Sequence, residues 1–287
     1  VEMAKSAGCQ VGLTTNGVLL SREMAARLTA AGLDLVAVSI AGATPSTQAA
    51  LRVGSDLSAI MENVAALNEL RARSNSQTPR VVLLFMMLQS NLAELPAVVD
   101  LAHQVGAVEV AATNLDYLAC PEHDAARAFS PAGAVSPWAE VVDEAASRAA
   151  RLGIAFRPYP LVEREDILVC EAMAEWTAVV AADGGVFPCV YLSVPVDPIP
   201  RLFRGVHHQV PRRPFGSLAK GDLMEAWEGE VYREFRSSFR LRRRFDAEII
   251  FDSLLLQPRC ADAFAEMVER SAPLPAPCRG CYKARGL

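Results

Sequence analysis

Seven cysteines are spread over 287 residues, and two of them form the step Cys278-Arg279-Gly280-Cys281. A Cys-x-x-Cys step lets one turn aim two thiolates at one metal, with Gly280 relaxing the backbone between them. Cys170 and Cys189 bracket Asp183-Gly184-Gly185, a hairpin signal between the apolar runs Trp176–Ala181 and Val186–Val190. Strand pairing there brings the two thiols close in space. The four thiolates of Cys170, Cys189, Cys278 and Cys281 satisfy either a tetrahedral zinc or a four-iron cluster, and the residues alone leave both open. Cys9, Cys120 and Cys260 are isolated and read as small buried hydrophobes or bystander thiols. An odd cysteine count without an export signal argues against a disulfide framework and for a reducing compartment, so a cytoplasmic protein is expected.

The elements that must position these residues fall into two textures. The first half alternates strands and helices: strands at Val11–Thr15, Leu35–Ile40, Val81–Leu88 and Val108–Ala112, helices from Ser21 to Ala31, over Pro45–Leu51 and Leu57–Arg71, and from a cap at Asn91 to Val105. Such alternation implies parallel pairing, and strands apolar on both faces belong in a helix-covered sheet, either a barrel or an open doubly wound sheet. Ser136–Leu152 reads as an amphipathic helix and Ile154–Arg157 as a strand, before a break at Pro158 and Pro160. From Cys170 onward come the hairpin, a Pro-rich loop over Pro195–Pro214, and helical stretches at Leu218–Trp227, Val231–Phe239, Phe245–Leu256 and Ala261–Arg270. The expected organisation is an α/β domain over 1–160 and a smaller Cys-rich hairpin and helix domain over 161–287.

Composition excludes several function classes. Net charge is −5, 52% of residues are hydrophobic and 21% charged. A sizeable core can form, and nothing points to nucleic acid. No apolar run approaches the roughly 18 residues that span a bilayer, so no membrane partner is expected. The start, Val1–Gly8, reads as the tail of a helix closed by a glycine. Sequence upstream of Val1 is therefore expected, and with it an exposed apolar edge at Val11–Thr15.

The pattern Cys170-x13-Gly184-x4-Cys189 resembles the opening of the SPASM domain, the auxiliary iron–sulfur module of many radical SAM enzymes. Asp183-Gly184-Gly185-Val186-Phe187-Pro188-Cys189, Phe215-Gly216-Ser217-Leu218, Leu223-Met224-Glu225-Ala226-Trp227 and Tyr232-Arg233-Glu234-Phe235-Arg236 follow in that family's order, and Cys278-x2-Cys281 fits its close. The likeness runs from Cys170 to Cys281, interrupted by an insertion at Ser193–Arg213 and an arginine-rich stretch at Arg240–Arg244. It implies one auxiliary four-iron four-sulfur (4Fe-4S) cluster on Cys170, Cys189, Cys278 and Cys281.

The first half resembles the radical SAM barrel. Thr14-Thr15-Asn16-Gly17 is similar to the turn after that family's third strand, and Val38-Ser39-Ile40-Ala41-Gly42 to its fourth-strand Ser-Ile-Asp-Gly, with Ala41 where relatives carry Asp. Arg52-Val53-Gly54 and Ser90-Asn91-Leu92-Ala93-Glu94-Leu95-Pro96 also match. The resemblance implies that Ser39, Arg52 and Asn16 bind S-adenosylmethionine. Strand ends face the ligand mouth of such a fold, a hydroxyl can hold a ribose or carboxylate, and a guanidinium can clamp a carboxylate. The family's C-x3-C-x2-C and Gly-Gly-Glu segments do not occur in this chain.

The expectation is thus a partial (β/α) radical SAM barrel followed by a Cys-rich iron–sulfur domain. The full-length enzyme would modify a peptide or mature a cofactor, with a peptide or small-molecule substrate and a reductant protein as partners; this chain alone is expected to be inactive. No catalytic acid or base stands out. The alternative is a non-catalytic fragment holding zinc or a structural cluster on the same four cysteines. Three other features read as structural: Asp183 as a turn former, His207-His208 as a solvated pair, and Arg240–Arg244 as a solvated helix face paired with Glu234 and Glu248. Asp116 reads only as an acidic loop residue.

Overall fold

The computed structural model describes residues 1–164, 167–254 and 267–287, with side chains of the last long helix described through Phe245. Cys260 and most of the helix expected over Ala261–Arg270 lie outside the described residues; residues 267–271 are helical. Two compact units emerge. Val1–Leu115, Ala126–Ala128 and Ser136–Leu161 form the first; Asp116–Ala125, Phe129–Val135 and Val162–Leu287 form the second.

The first unit opens with a short helix, α1 (Glu2–Ser6), and carries one sheet of five strands. They are β1 (Gly12–Thr15), β2 (Leu35–Ile40), β3 (Arg80–Met87), β4 (Glu109–Asn114) and β5 (Ala155–Pro158), all parallel and paired in sequence order. Between them run α2 (Arg22–Ala30), α3 (Pro45–Leu51), α4 (Leu57–Arg73) and α5 (Leu95–Gln104). The six-residue α6 (Pro121–Ala126) follows β4 in the chain but falls almost wholly in the second unit, and α7 (Ala139–Leu152) then leads into β5. Strand order never reverses, as it must in a doubly wound sheet. The helices also cover one face only. Val36, Val38, Ile40, Val81, Leu83, Phe85 and Val110 pack into the large core beneath them, along with Ile60, Val64 and Leu67 of α4 at helical spacing. The opposite face is a small strand-only cluster of Ala37, Val82 and Ala111, flanked by Leu35 and Leu84. One-sided cover with sequential order is the partial (β/α) barrel expected from the sequence. Its edge strand β1 departs from expectation: the exposed positions are Gly12 and Thr14, while Leu13 packs on the core. Cys9 is exposed and Cys120 half-buried, so both are bystander thiols and neither is a core residue.

Local chemistry sets the helix ends. The Ser21 hydroxyl accepts from the Met24 N–H at 3.2 Å to start α2, and Thr44 does the same for Thr47 at the head of α3. Asn91 was expected to cap a helix and does not. Its side chain, 1% exposed, accepts from the Leu88 N–H at 2.8 Å and donates to the carbonyls of Ala41 and Met86 at 2.9 Å each. A single-turn 3-10 helix, Leu92–Glu94, follows it, and α5 starts without a side-chain cap. Asn91 instead ties the loops leaving β2 and β3.

In the second unit β6 (Val179–Val180) and β7 (Gly185–Phe187) make the expected antiparallel hairpin. Gly184 takes φ +79, and Asp183 closes the turn by accepting from the Gly185 N–H at 3.0 Å. The stretch expected as a Pro-rich loop holds a second hairpin, β8 (Ile199–Phe203) against β9 (Val206–Val210), turning at Arg204 and Gly205 with φ +49 and +76. Two positive φ values suit a hairpin turn. β10 (Gly216–Ser217) pairs with β7, and α8 (Leu223–Glu228) begins with an Asp222–Glu225 capping box. The two stretches Val231–Phe239 and Phe245–Leu256 merge into one helix, α9 (Glu230–Leu254). The arginine run on α9 is not simply a solvated face. Arg242 is 1% exposed, donating to the carbonyls of Leu168 and Ala272 and pairing with Glu269 at 3.0 Å; Arg240 and Arg243 pair with Glu175. His208 stacks edge-on near Phe203, while His207 is exposed. No helix among the described residues is long and apolar enough to cross a membrane.

Replacing Asn91 by Ala would leave one buried N–H and two carbonyls without their partner. The expected loss is roughly 2–3 kcal/mol of stability. Thermal unfolding of N91A checks it; an unchanged midpoint would show that the loop strap is dispensable.

Candidate functional site

Two groups of residues gather chemistry, one in each unit. In the first, the C-terminal ends of the strands place Ser39 on the strand-only face, in register with Leu84 of β3. The Arg52 Nη2 donates to the Ser39 Oγ at 2.6 Å, so the two side chains expected to work together do meet. Asn16 does not join them; it is exposed and closes its own turn, its Oδ1 accepting from the Val18 N–H at 3.2 Å. The next residue, Gly17, has φ +76, and a Cβ there would lie 2.8 Å from Ile60 Cγ2, so only glycine allows this turn.

The segment after Ser39 is held by polar residues that the sequence pattern did not single out. Fully buried Gln48 accepts from the Ala41 N–H at 2.8 Å and donates to Ser55 at 2.7 Å. Glu94 accepts from the Ala43 N–H at 2.6 Å and the Thr44 N–H at 3.2 Å, and it also bonds the Thr47 hydroxyl. A Cβ on Gly42 would meet Thr47 Cβ at 2.6 Å, so the loop packs directly on the head of α3. This internal bonding fixes the backbone around Ser39.

In the second unit, Cys170, Cys189 and Cys278 are buried within one apolar cluster, and half-buried Cys281 packs against it. Phe187, Leu192, Phe235, Phe239 and Leu274 complete that cluster. All four thiols are free, and the charges of Cys170, Cys189 and Cys281 all act on Cys278. Burial pushes the Cys170 thiol up to about 12 and the Cys189 thiol to about 11, with the neighbouring Cys281 adding to both. Cys278 is raised well above the ordinary range for the same reasons. Backbone N–H groups of Ala172, and of Tyr191 and Leu192, point at the Cys170 and Cys189 sulfurs and oppose that rise. No three His, Cys, Asp or Glu side chains among the described residues close to the spacing of a single metal ion.

Aromatic packing makes the pocket. On α9, Phe235 and Phe239 lie 5.2 Å apart, and Phe215 meets Phe235 at 5.2 Å and Tyr232 at 5.3 Å. The Tyr232 hydroxyl lies 2.9 Å from the Thr177 carbonyl and 3.0 Å from that of Phe187, fixing the hairpin that carries Cys189.

Charged residues missed by the sequence reading surround the thiols. Lys283, two residues after Cys281 and 5% exposed, pairs with Asp116 at 3.1 Å and with Glu171 at 3.5 Å. The Tyr191 hydroxyl donates to Asp116 at 2.9 Å. Burial raises the Asp116 carboxyl despite the lysine beside it. Arg201 on β8 is 4% exposed and donates to the carbonyls of Pro277 at 2.6 Å and Tyr191 at 2.9 Å. A lysine just past a terminal Cys-x-x-Cys, between Tyr282 and Ala284, was the available signal; Arg201 was hidden in an assumed loop. Lys283→Met is expected to cost about 3 kcal/mol, because Asp116 keeps a buried charge without its main partner. The double variant Lys283→Met with Asp116→Leu should lose less than the single, and urea unfolding of both compares them.

Comparison with known proteins agrees with this geometry. A family model described as the radical SAM superfamily matches residues 1–102, and one described as an iron–sulfur cluster-binding domain, SPASM, matches residues 170–250. A curated relative from Pyrococcus furiosus, the tungsten-containing aldehyde ferredoxin oxidoreductase cofactor-modifying protein, is 25% identical over 237 residues, 82% of this chain and 64% of the relative. Streptococcus suis SuiB has a similar fold. Its S-adenosylmethionine-bound structure matches at TM-score 0.52 and 11% identity, over 82% of this chain and 52% of SuiB. The structure of SuiB with its precursor peptide SuiA matches at TM-score 0.52 and 10% identity, over 82% and 51%. The chain thus spans less than two thirds of the length of these proteins. A radical SAM superfamily match in the first part of the chain is thus followed by a SPASM iron–sulfur cluster-binding match in the second.

Proposed function

We propose that Cys170, Cys189, Cys278 and Cys281 hold one four-iron four-sulfur cluster, and that Ser39, Arg52 and Asn16 belong to an S-adenosylmethionine site. The whole enzyme would modify a peptide or mature a cofactor by radical chemistry, drawing electrons from a reductant protein. The observation that carries the reading is the meeting of four free thiols, from segments 170–189 and 278–281, in one buried pocket. The match of residues 170–250 to an iron–sulfur cluster-binding domain supports a cluster over zinc. The buried Arg201 and Lys283 suit a group that leaves net negative charge among its thiolates.

Such a cluster supplies one-electron transfer or an anchor for substrate. The chain's own residues prepare it: N–H groups of Ala172, Tyr191 and Leu192 orient sulfurs, and the Phe235–Phe239 wall excludes water. At the strand ends, Ser39 holds Arg52 by one Nη, leaving the rest of the fork for a carboxylate. Asn16, just past the end of the neighbouring β1, would turn its side-chain amide to the same ligand. No residue of this chain is assigned to reductive cleavage. The Pyrococcus furiosus relative supports the cofactor-maturing branch, and the fold shared with peptide-bound SuiB the peptide branch.

Anaerobically reconstituted protein is expected to carry about four iron and four sulfide and to absorb broadly near about 400 nm. Cys→Ser at 170, 189, 278 or 281 should lose most of that iron, while Cys9→Ser and Cys120→Ser keep it. Stoichiometric zinc in a colourless protein would overturn the cluster. For the strand-end site, Arg52→Gln should weaken S-adenosylmethionine binding about tenfold, the scale of one charge-assisted hydrogen bond. Equilibrium dialysis reads this, and unchanged affinity would remove Arg52 from the site.

A further inference from the structure

Among the described residues, Arg201 is a charged residue whose surroundings do not answer its charge. Its side chain is 4% exposed, and no carboxylate lies within ion-pair distance of it among the described residues. Two of its nitrogens reach backbone carbonyls, those of Pro277 and Tyr191, and its Nε is buried without a hydrogen-bond partner. A buried unpaired guanidinium is costly unless an anion sits nearby. The small cleft it lines also contains Tyr191, Gly280 and Cys281. The two carbonyls it holds belong to Pro277, directly before Cys278, and to Tyr191, two residues after Cys189.

The segment that supplies Arg201 lies within the stretch where the SPASM likeness breaks, Ser193–Arg213. That segment grips the terminal Cys-x-x-Cys. The His208 ring lies against Gly280, where an added Cβ would be 3.3 Å from it. The Arg204 N–H donates at 2.8 Å to the hydroxyl of Tyr282, the residue directly after Cys281, and Phe203 meets the Tyr282 ring at 4.8 Å. The hairpin of β8 and β9 therefore closes over the turn between the last two thiols and brings a cation with it.

Resting on the cluster proposed above, we infer that Arg201 is a positioning residue for that cluster's charge: its buried guanidinium stabilises the more negative, one-electron-reduced state and so holds the reduction potential up. A low-potential one-electron donor supplies the electron, no proton moves, and the only change is one added negative charge next to a fixed positive one. A unit charge at this range in a protein interior is strong enough to move a one-electron equilibrium severalfold.

The test compares reconstituted wild type, Arg201→Gln and Arg201→Lys in a mediated redox titration followed by EPR, with iron and sulfide measured on each. In Arg201→Gln, the reduced-to-oxidised ratio at a fixed potential should fall about tenfold, a shift of about 59 mV for one electron. Arg201→Lys should stay near wild type. Iron lost from the Gln variant but kept in the Lys variant would support the same charge role. An unchanged potential in Arg201→Gln, or an equal shift or equal iron loss in both variants, would overturn it and leave Arg201 a structural clamp on Pro277 and Tyr191. Wild type that takes up no iron and sulfide would overturn the cluster itself, and the inference with it.

Discussion

Four thiols from distant parts of a chain do not gather in an apolar pocket without opposition. Each loses water on burial, and each thiolate repels the others, which is why Cys170, Cys189 and Cys278 all hold their protons so tightly here. Gathering them is tolerable only while they are neutral or while positive charge sits among them. The second unit answers with both. Its walls are Phe187, Phe235 and Phe239, which favour the neutral thiols, and two buried cations stand beside them, Arg201 and the Lys283 that pairs with Asp116 and Glu171. Metal loading, which releases thiol protons, then meets charges already in place.

The first unit solves a different problem. Helices cover one face of its sheet, so the other face carries only small or modest side chains such as Ala37, Val82 and Ala111. That face leads to the strand ends, where Ser39 and Arg52 meet. Backbone there is held by Asn91, Gln48 and Glu94, whose side chains all bond loop N–H or carbonyl groups. Loops that carry ligand contacts need such internal bonding, because they lack the ladder bonds of the strands they follow.

Much of this was legible in the sequence, for physical reasons that also explain the failures. Strands such as Leu35–Ile40 and the helix Pro45–Leu51 were readable residue for residue, because apolar runs and caps are local signals. The hairpin at Asp183-Gly184 was readable because its turn demands a positive φ. The β8–β9 hairpin was not, since Pro200 in a strand and the prolines flanking it disguise an edge pair as a loop. Asn91 looked like a cap because capping is what Asn does before a helix; its three long-range bonds are invisible to spacing. Asp116 and Lys283 are 167 positions apart, and no local pattern marks a pair that only tertiary packing makes. The four thiols were the exception among long-range features, because cysteine spacing carries its own signature.

The buried cations of the second unit differ in how their charge is met, and the difference is informative. Arg242 reaches two carbonyls and the Glu269 carboxylate. Lys283 sits between Asp116 and Glu171. Arg236 stacks 3.9 Å over the Trp227 ring, with Glu228 at 3.9 Å. Each of these has an anion or a π face at hand, as the cost of burying charge requires. Arg201 has two carbonyls and an unbonded Nε. Carbonyl dipoles alone offset only part of a guanidinium's lost hydration, and a negatively charged cluster beside it would offset the rest. A site built only to pack four neutral cysteines would gain nothing from a cation in that place; a site built to hold ionised ones would.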